Sequence, residues 1–281
     1  MATPLTVLIT GCSTGIGRAL AEEFHARGHV VYATARRVQT LDDLKARGLR
    51  TAALDVNDPA SIAALTRRLE ADGVTVDVLV NNAGYGAMGP LAEFPLDELR
   101  RQFETNVFAV LALTQALLPG MIRRRAGRVV NIGSVSGVLV TPFSGAYCAT
   151  KAAVHALSDA MRMELAPFGI RVITVQPGGI RSQFGATASR GVSERSRQLS
   201  LYAPVADAIA ARANASQQDA TPAEVFARRM VDAVLKPNPA PVLRIGHGSF
   251  LMPFLRRWMP LAWLDRMLGR RFKLDRLQTQ N

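Results

Sequence analysis

The stretch Leu5-Thr6-Val7-Leu8-Ile9-Thr10-Gly11-Cys12-Ser13-Thr14-Gly15-Ile16-Gly17 decides the fold. Leu5 to Thr10 reads as a buried strand, and the glycine-rich run after it as the turn into a helix that continues through Arg27. Glycines that follow a strand and open a helix let the backbone approach a pyrophosphate at the positive helix end. The spacing here is G-x-x-x-G-x-G rather than the G-x-G-x-x-G of the standard dinucleotide fingerprint. A tight strand-to-helix turn without a ligand would need similar residues. The place of these glycines, at the first strand-to-helix junction, favours phosphate binding, with Gly11, Ser13, Thr14, Gly15, Ile16 and Gly17 as the contacts.

The pattern set by this unit repeats along the chain. Strands are expected at His29–Thr34, Arg50–Leu54, Asp77–Val80, Arg128–Ile132, Arg171–Gln176 and Pro241–Ile245. Helices are expected at Pro59–Ala71, Leu96–Leu118 and Ala146–Ala166, and from Thr221-Pro222-Ala223-Glu224 to about Leu235, this last stretch opening as a capping box with proline at the first helical position. Alternating strands and helices predict an α/β fold: a doubly wound Rossmann-type parallel sheet with helices on both faces, in a single domain. Ligands then bind at the carboxyl ends of the strands, which is where the polar motifs fall. The domain spans residues 1–250, with a weakly patterned substrate loop at about 181–220, and a basic amphipathic extension covers 250–281.

The second strand ends in Ala35-Arg36-Arg37. A dinucleotide site often places there a carboxylate that grips the adenosine ribose and would repel a 2′-phosphate; a guanidinium instead pairs with that phosphate through two hydrogen bonds. Arg36 and Arg37 thus point to NADP(H), the plain alternative being a solvated arginine pair after a strand. In the helix from Ala146, Tyr147 and Lys151 lie four residues apart and share a face. A cation beside a phenol favours the phenolate and lowers its pKa, which makes Tyr147 an acid/base candidate. Taken alone, the pair is also compatible with chance.

The 281 residues are 48% hydrophobic and 20% charged, a globular balance. Two cysteines, Cys12 and Cys148, are too few for a disulfide framework and fit a reduced, cytoplasmic setting. The four histidines form no ligand-spaced cluster, so no metal site is expected. The formal charge is +12, yet of 34 lysines and arginines only Lys45, Lys151, Lys236 and Lys273 are lysine. No nucleic-acid-binding signature accompanies the charge, and nucleic acid is not an expected partner. No basic region or cleavage site precedes the first apolar run, so no signal peptide is expected. Val107–Leu118, interrupted by Thr114 and Gln115 and closed by Pro119, reads as too short to span a bilayer, which needs about 20 residues.

Residues 5–182 resemble the short-chain dehydrogenase/reductase family. The motifs that carry the resemblance come in order: Thr10-Gly11-x-x-x-Gly15-x-Gly17, Asp55-Val56, Asn81-Asn82-Ala83-Gly84, Asn106, Ser134, Tyr147-x-x-x-Lys151 and Pro177-Gly178. The resemblance implies that Tyr147 is the proton donor in carbonyl reduction or the base in alcohol oxidation. Lys151 would lower its pKa and bind the nicotinamide ribose, Ser134 would hold the substrate oxygen, and Asn106 would hold a water linking Lys151 to solvent. A helix asparagine satisfying backbone groups is the plainer reading of Asn106. Asp55 and Val56 would meet the adenine, Asn82, Ala83 and Gly84 the cofactor floor, and Pro177, Gly178 and Ile180 the nicotinamide. Ser182 stands where the family often has threonine, and Thr14 and Arg36 where NADP-preferring members hold the 2′-phosphate. A homodimer or homotetramer is the family's usual assembly.

Both tryptophans lie in the tail, where Phe250 to Leu277 interleaves apolar residues with seven basic and two acidic ones. Such a segment either lies on a membrane surface or covers a substrate cleft or subunit contact with its apolar side, the second reading being preferred. An apolar wall near the site implies a lipophilic carbonyl substrate. The tail and the Ile9–Ser13 wording resemble the branch holding hydroxysteroid, retinol and acyl-dihydroxyacetone-phosphate reductases. A non-catalytic NADP(H)-sensing regulator and an NAD-linked alcohol dehydrogenase are the competing readings.

Overall fold

A computed structural model describes residues 3–196 and 199–280. Its centre is a seven-stranded, wholly parallel sheet in the order β3-β2-β1-β4-β5-β6-β7. The strands are β1 (Thr6–Ile9), β2 (Val30–Ala35), β3 (Arg50–Ala53), β4 (Val78–Asn81), β5 (Gly127–Ile132), β6 (Ile170–Pro177) and β7 (Val242–Ile245). Helices α1 (Gly15–Ala26), α2 (Asp42–Ala46), α3 (Pro59–Ala71), α4 (Leu96–Phe103), α5 (Ala109–Arg124), α6 (Gly145–Leu165), α7 (Phe184–Ser196), α8 (Ala206–Asn214), α9 (Ala223–Val234), α10 (Leu251–Trp258) and α11 (Leu261–Arg271) complete the chain.

Successive strand residues face opposite sides, so a sheet covered on both faces needs continuous apolar strands. In β1, Val7 and Ile9 enter one core with Phe24 of α1 and Phe226 and Met230 of α9, while Leu8 enters the other with Leu65, Leu113 and Met161. The strand order reverses between β1 and β4, the crevice where doubly wound sheets bind their ligands. The expected α/β Rossmann-type fold is the one observed.

Several local expectations need correction. Pro119 does not close its helix, which runs on to Arg124. Together α4, a π-helical turn at Glu104–Phe108 and α5 make 29 continuous helical residues, long and apolar enough to cross a membrane by length and composition. One face of it packs into the domain, where Gln102, Asn106, Leu113, Thr114 and Met121 are buried, while Phe108 is exposed on another. The capping box does not form, because Thr221 pairs with Ile180 in an extended bridge. Its N–H donates to the Gly179 carbonyl and its own carbonyl accepts from Arg181, so α9 starts at Ala223 with no side-chain cap. The weakly patterned loop at 181–220 is mostly helical, as α7 and α8, whose Ala188, Val192, Ala208, Ile209 and Ala213 form a third core with Phe143 and Tyr147.

Candidate active site

The glycine turn is built by two glycines that need it and by polar support from β4. Gly11 and Gly15 lie at φ +73° and +60°, where a side chain is strained. A Cβ on Gly17 would overlap the Asn82 amide nitrogen and the Gly11 carbonyl. Asn82 Nδ2 donates to the carbonyls of Thr10 (2.8 Å) and Gly11 (3.3 Å), so its side chain supports the turn rather than facing the crevice. The N–H groups of Asn82 and Ala83 both donate to Thr10 Oγ1, at 3.0 and 2.9 Å. Thr10 thus ties the first and fourth strand ends together, a role its sequence neighbours do not signal.

Thr14 is the N-cap of α1, exposed and making no side-chain cap bond, so its hydroxyl and the positive helix end stay available to an anion. Arg36 and Arg37 follow β2, are exposed, and have no ion-pair partner among the described residues. Asp55 is partly buried and its carboxylate accepts the Asn57 N–H at 3.0 Å, while Val56 is partly packed into the core. A turn that tolerates no added Cβ, an uncapped helix end and two unpaired guanidinium groups fit a phosphorylated dinucleotide. Ser13 and Ile16 flank the turn, half-buried, and Ile16 leans on the core.

On the opposite lip, Gly178 leaves no room for a side chain against the His247 carbonyl. Pro177 ends β6, and Ser182 reaches across the crevice until its Cβ stands 3.0 Å from where a Gly15 side chain would begin. Ser182 Oγ accepts the Phe184 N–H at 3.3 Å, and Gln217 accepts the Ser182 N–H at 3.0 Å, pinning this lip to the end of α8. Ile180 is placed to serve through its main chain. Its side chain is buried in the sheet core against Gly246, leaving only its main chain for a cofactor contact.

Asn106, Ser134, Tyr147 and Lys151 converge beyond Gly84. The Asn106 amide oxygen lies 3.0 Å, and Lys151 Nζ 3.8 Å, from the point where a Gly84 side chain would sit, so glycine keeps the space between them open. Asn106 accepts the Tyr85 N–H (3.1 Å) and donates to the Tyr85 carbonyl (2.9 Å) and Thr150 Oγ1 (3.1 Å). It does satisfy backbone groups, and it does so from a π-helical turn, a feature frequent at functional sites. Lys151 Nζ donates to the Ile132 carbonyl at 2.7 Å and stands 5.8 Å from the centre of the Tyr147 ring. Ser134 Oγ accepts the Ser136 N–H at 3.0 Å and stands near enough to Tyr147 to draw its phenol's pKa down. His155, one turn beyond Lys151, accepts the Ser134 N–H at 3.3 Å, its ring filling the notch left by Gly133 and Gly137.

The acidity expected for Tyr147 is reversed. Burial pushes its phenol up to about 12, against the smaller downward pull of Ser134. The same burial lowers Lys151 to about 8, and lowers His155 to about 4 with help from the Lys151 charge. Desolvation outweighs the downward pulls of Ser134 and of the Arg212 charge because the ring sits in an apolar wall. The Phe184 ring lies 5.2 Å from it, and Met88, Leu139, Phe143, Leu264, Leu268 and Phe272 fill the same cluster. Phe143 is held there at φ +64°, a rare conformation for a bulky residue. Leu264, Leu268 and Phe272 come from the tail, so one side of α11 packs into this cluster.

Residues 5–192 match the family model described as short chain dehydrogenase. A 3-ketodihydrosphingosine reductase from Bacteroides thetaiotaomicron is 36% identical over 200 residues, 71% of this chain and 72% of that protein. A solved short-chain dehydrogenase from Streptomyces avermitilis is 33% identical and superposes over the full length of both chains with a TM-score of 0.76. The closed form of a serine dehydrogenase complexed with NADP+ superposes with a TM-score of 0.75 at 28% identity, covering 86% of this chain and 94% of that one.

Proposed function

The chain belongs to the short-chain dehydrogenase family, and on that premise we propose that it is an NADP(H)-dependent oxidoreductase interconverting a lipophilic ketone or aldehyde and its alcohol. The observation that carries this reading is the meeting of Ser134, Tyr147 and Lys151 behind the glycine crevice, inside an apolar wall.

When bound, the nicotinamide supplies or accepts the hydride. The chain's own residues handle the proton and the developing charge. A phenol held near 12 is protonated at neutral pH, which suits donation to a carbonyl oxygen. Ser134, whose Oγ accepts the Ser136 N–H and so keeps its own hydrogen free, donates to the same oxygen and stabilises its charge. As the phenol gives up its proton, the ammonium of Lys151 steadies the phenolate, and charge in a dry site acts more strongly than in water. His155 fixes the strand exit that carries Ser134. Thr14 and Arg36 would hold the 2′-phosphate, and Arg37 would add to the field around it.

The wall of Met88, Phe143, Phe184 and Leu264 supports a hydrophobic substrate, and the reductase from Bacteroides, named for a long-chain keto compound, supports the same class. NADPH oxidation with a panel of hydrophobic ketones and aldehydes tests the substrate class. In that assay Tyr147→Phe loses about 10²–10⁴-fold in rate while NADPH still binds; unchanged turnover removes Tyr147 from the reaction. Arg36→Asp shifts preference from NADPH to NADH, and undiminished NADPH affinity removes Arg36 from the phosphate site.

A further inference from the structure

The tail has two faces and the domain uses one. In α11, Leu264 and Leu268 are buried against the Tyr147 wall. Trp263 and Met267, also four residues apart, point to solvent on another stripe, with Trp263 68% exposed. No residue of α10 is fully buried; Met252 packs half-buried against the third core, and Pro253 and Leu255 are half-buried. Leu251, Phe254 and Trp258 of this helix follow a helical spacing and form one exposed stripe, the Phe254 and Trp258 rings 6.5 Å apart. An amphipathic helix normally keeps its apolar residues on the core side; this one carries Leu251, Phe254 and Trp258 on an outer stripe besides the half-buried Met252. Scattered exposed apolar residues are ordinary, but contiguous ones mark a contact.

The charges around this patch say what covers it. Arg256, Arg257, Arg266, Arg270 and Arg271 are exposed, and none has an ion-pair partner among the described residues. Asp265 is the acidic residue of the two helices. An open groove of about 460 Å³ between the β7 edge and α10 has an apolar floor of Phe250, Leu251, Pro253 and Phe254, with Arg244 and Arg257 on its walls. Apolar floor and basic walls match an acyl chain and its phosphate headgroup. A second copy of this chain in a two-fold contact would instead set arginines against arginines.

We propose that α10 and α11 form an interfacial anchor that docks on an anionic lipid bilayer, with Leu251, Phe254, Trp258, Leu261 and Trp263 entering the acyl boundary and the arginines facing the headgroups. The opposite side of α11 packs into the apolar cluster that holds Tyr147, so docking sets that cluster next to the bilayer.

Both tryptophans of the chain lie in the anchor, so their emission reports docking directly. The full-length protein is titrated with vesicles of phosphatidylcholine alone and of phosphatidylcholine with phosphatidylglycerol, following tryptophan emission and co-sedimentation. Anionic vesicles are expected to shift the emission to the blue and to sediment the protein, with both effects weakened by salt. Arg256→Gln and Arg257→Gln are expected each to weaken binding about fivefold, the equivalent of about 1 kcal/mol. Phe254→Ser with Leu251→Ser is expected to abolish it without changing NADPH oxidation of a water-soluble carbonyl. No emission shift with anionic vesicles overturns the proposal. So does a change of oligomeric state in the serine variant, by light scattering, without loss of lipid binding, since the patch is then a subunit contact.

Discussion

Lys151 is a buried cation whose cost can be measured. It donates to the Ile132 carbonyl at 2.7 Å and has no carboxylate partner among the described ion pairs. Burial lowers its pKa from the ordinary 10.5 to about 8. Below pH 8 the folded and unfolded chains both hold the proton, and the fold bears the whole cost of the buried charge. Between about 8 and 10.5 the folded state has released the proton and the unfolded state has not, so stability rises with pH; above 10.5 it levels off. At about 1.4 kcal/mol per pH unit, the rise is about 3 kcal/mol. Lys151→Met keeps the length of the side chain and removes the charge, so over the same window the native protein should gain about 3 kcal/mol relative to the variant, with groups common to both, such as the buried Cys12, cancelling. Making the comparison on a Tyr147→Phe background removes the phenol, whose titration would otherwise overlap. Urea unfolding of the cofactor-free proteins, followed by circular dichroism from pH 7 to 10.5, gives the two curves. Parallel curves would show that Lys151 is hydrated or paired in the folded protein, and the argument from burial would fail.

Three other outcomes follow from the site. Gly17→Ala drives a methyl group into the Asn82 amide and the Gly11 carbonyl. It should cost about 1–3 kcal/mol in thermal unfolding and weaken NADPH binding by about tenfold or more in calorimetry. His155→Gln keeps an acceptor for the Ser134 N–H but cannot titrate. Because the folded state rejects a proton that the unfolded state accepts near 6.5, the native protein should lose up to about 3 kcal/mol more than the variant as pH falls from 6.5 to about 4, read by urea unfolding. Phe184→Ala opens the wall beside Tyr147, and should raise KM for hydrophobic carbonyls more than it lowers kcat, by steady-state kinetics.

The strands and the crevice were legible because both faces of the sheet are covered, which leaves Val7-Leu8-Ile9 and Val78-Leu79-Val80 as unbroken apolar runs before glycine or asparagine. The helices of 181–220 were not, because Ala188, Ala208 and Ala213 pack through small side chains that leave a faint periodic signal. Tyr147 and Lys151 were legible as a pair by their spacing, yet their acidities were not. Those depend on Phe184, Leu264 and Phe272, which only folding brings to the ring and its surrounding cluster. Asn106 shows the same limit: its partners Tyr85 and Thr150 lie 21 and 44 residues away.

The π-helical turn at Glu104–Phe108 carries one residue more than a regular winding holds. The wide turn absorbs that extra residue, so deleting one there would restore regular winding and leave α4 and α5 nearly in phase; the loss would be local to Asn106, whose bonds to the Tyr85 main chain are made from this turn. A deletion in the regular winding of α5 would instead swing α4 by about 100° about its axis and carry Gln102, whose amide donates to the Tyr85 carbonyl at 3.2 Å, out of the interior. The same helix therefore tolerates a change of length at its underwound turn that it would not tolerate a turn away.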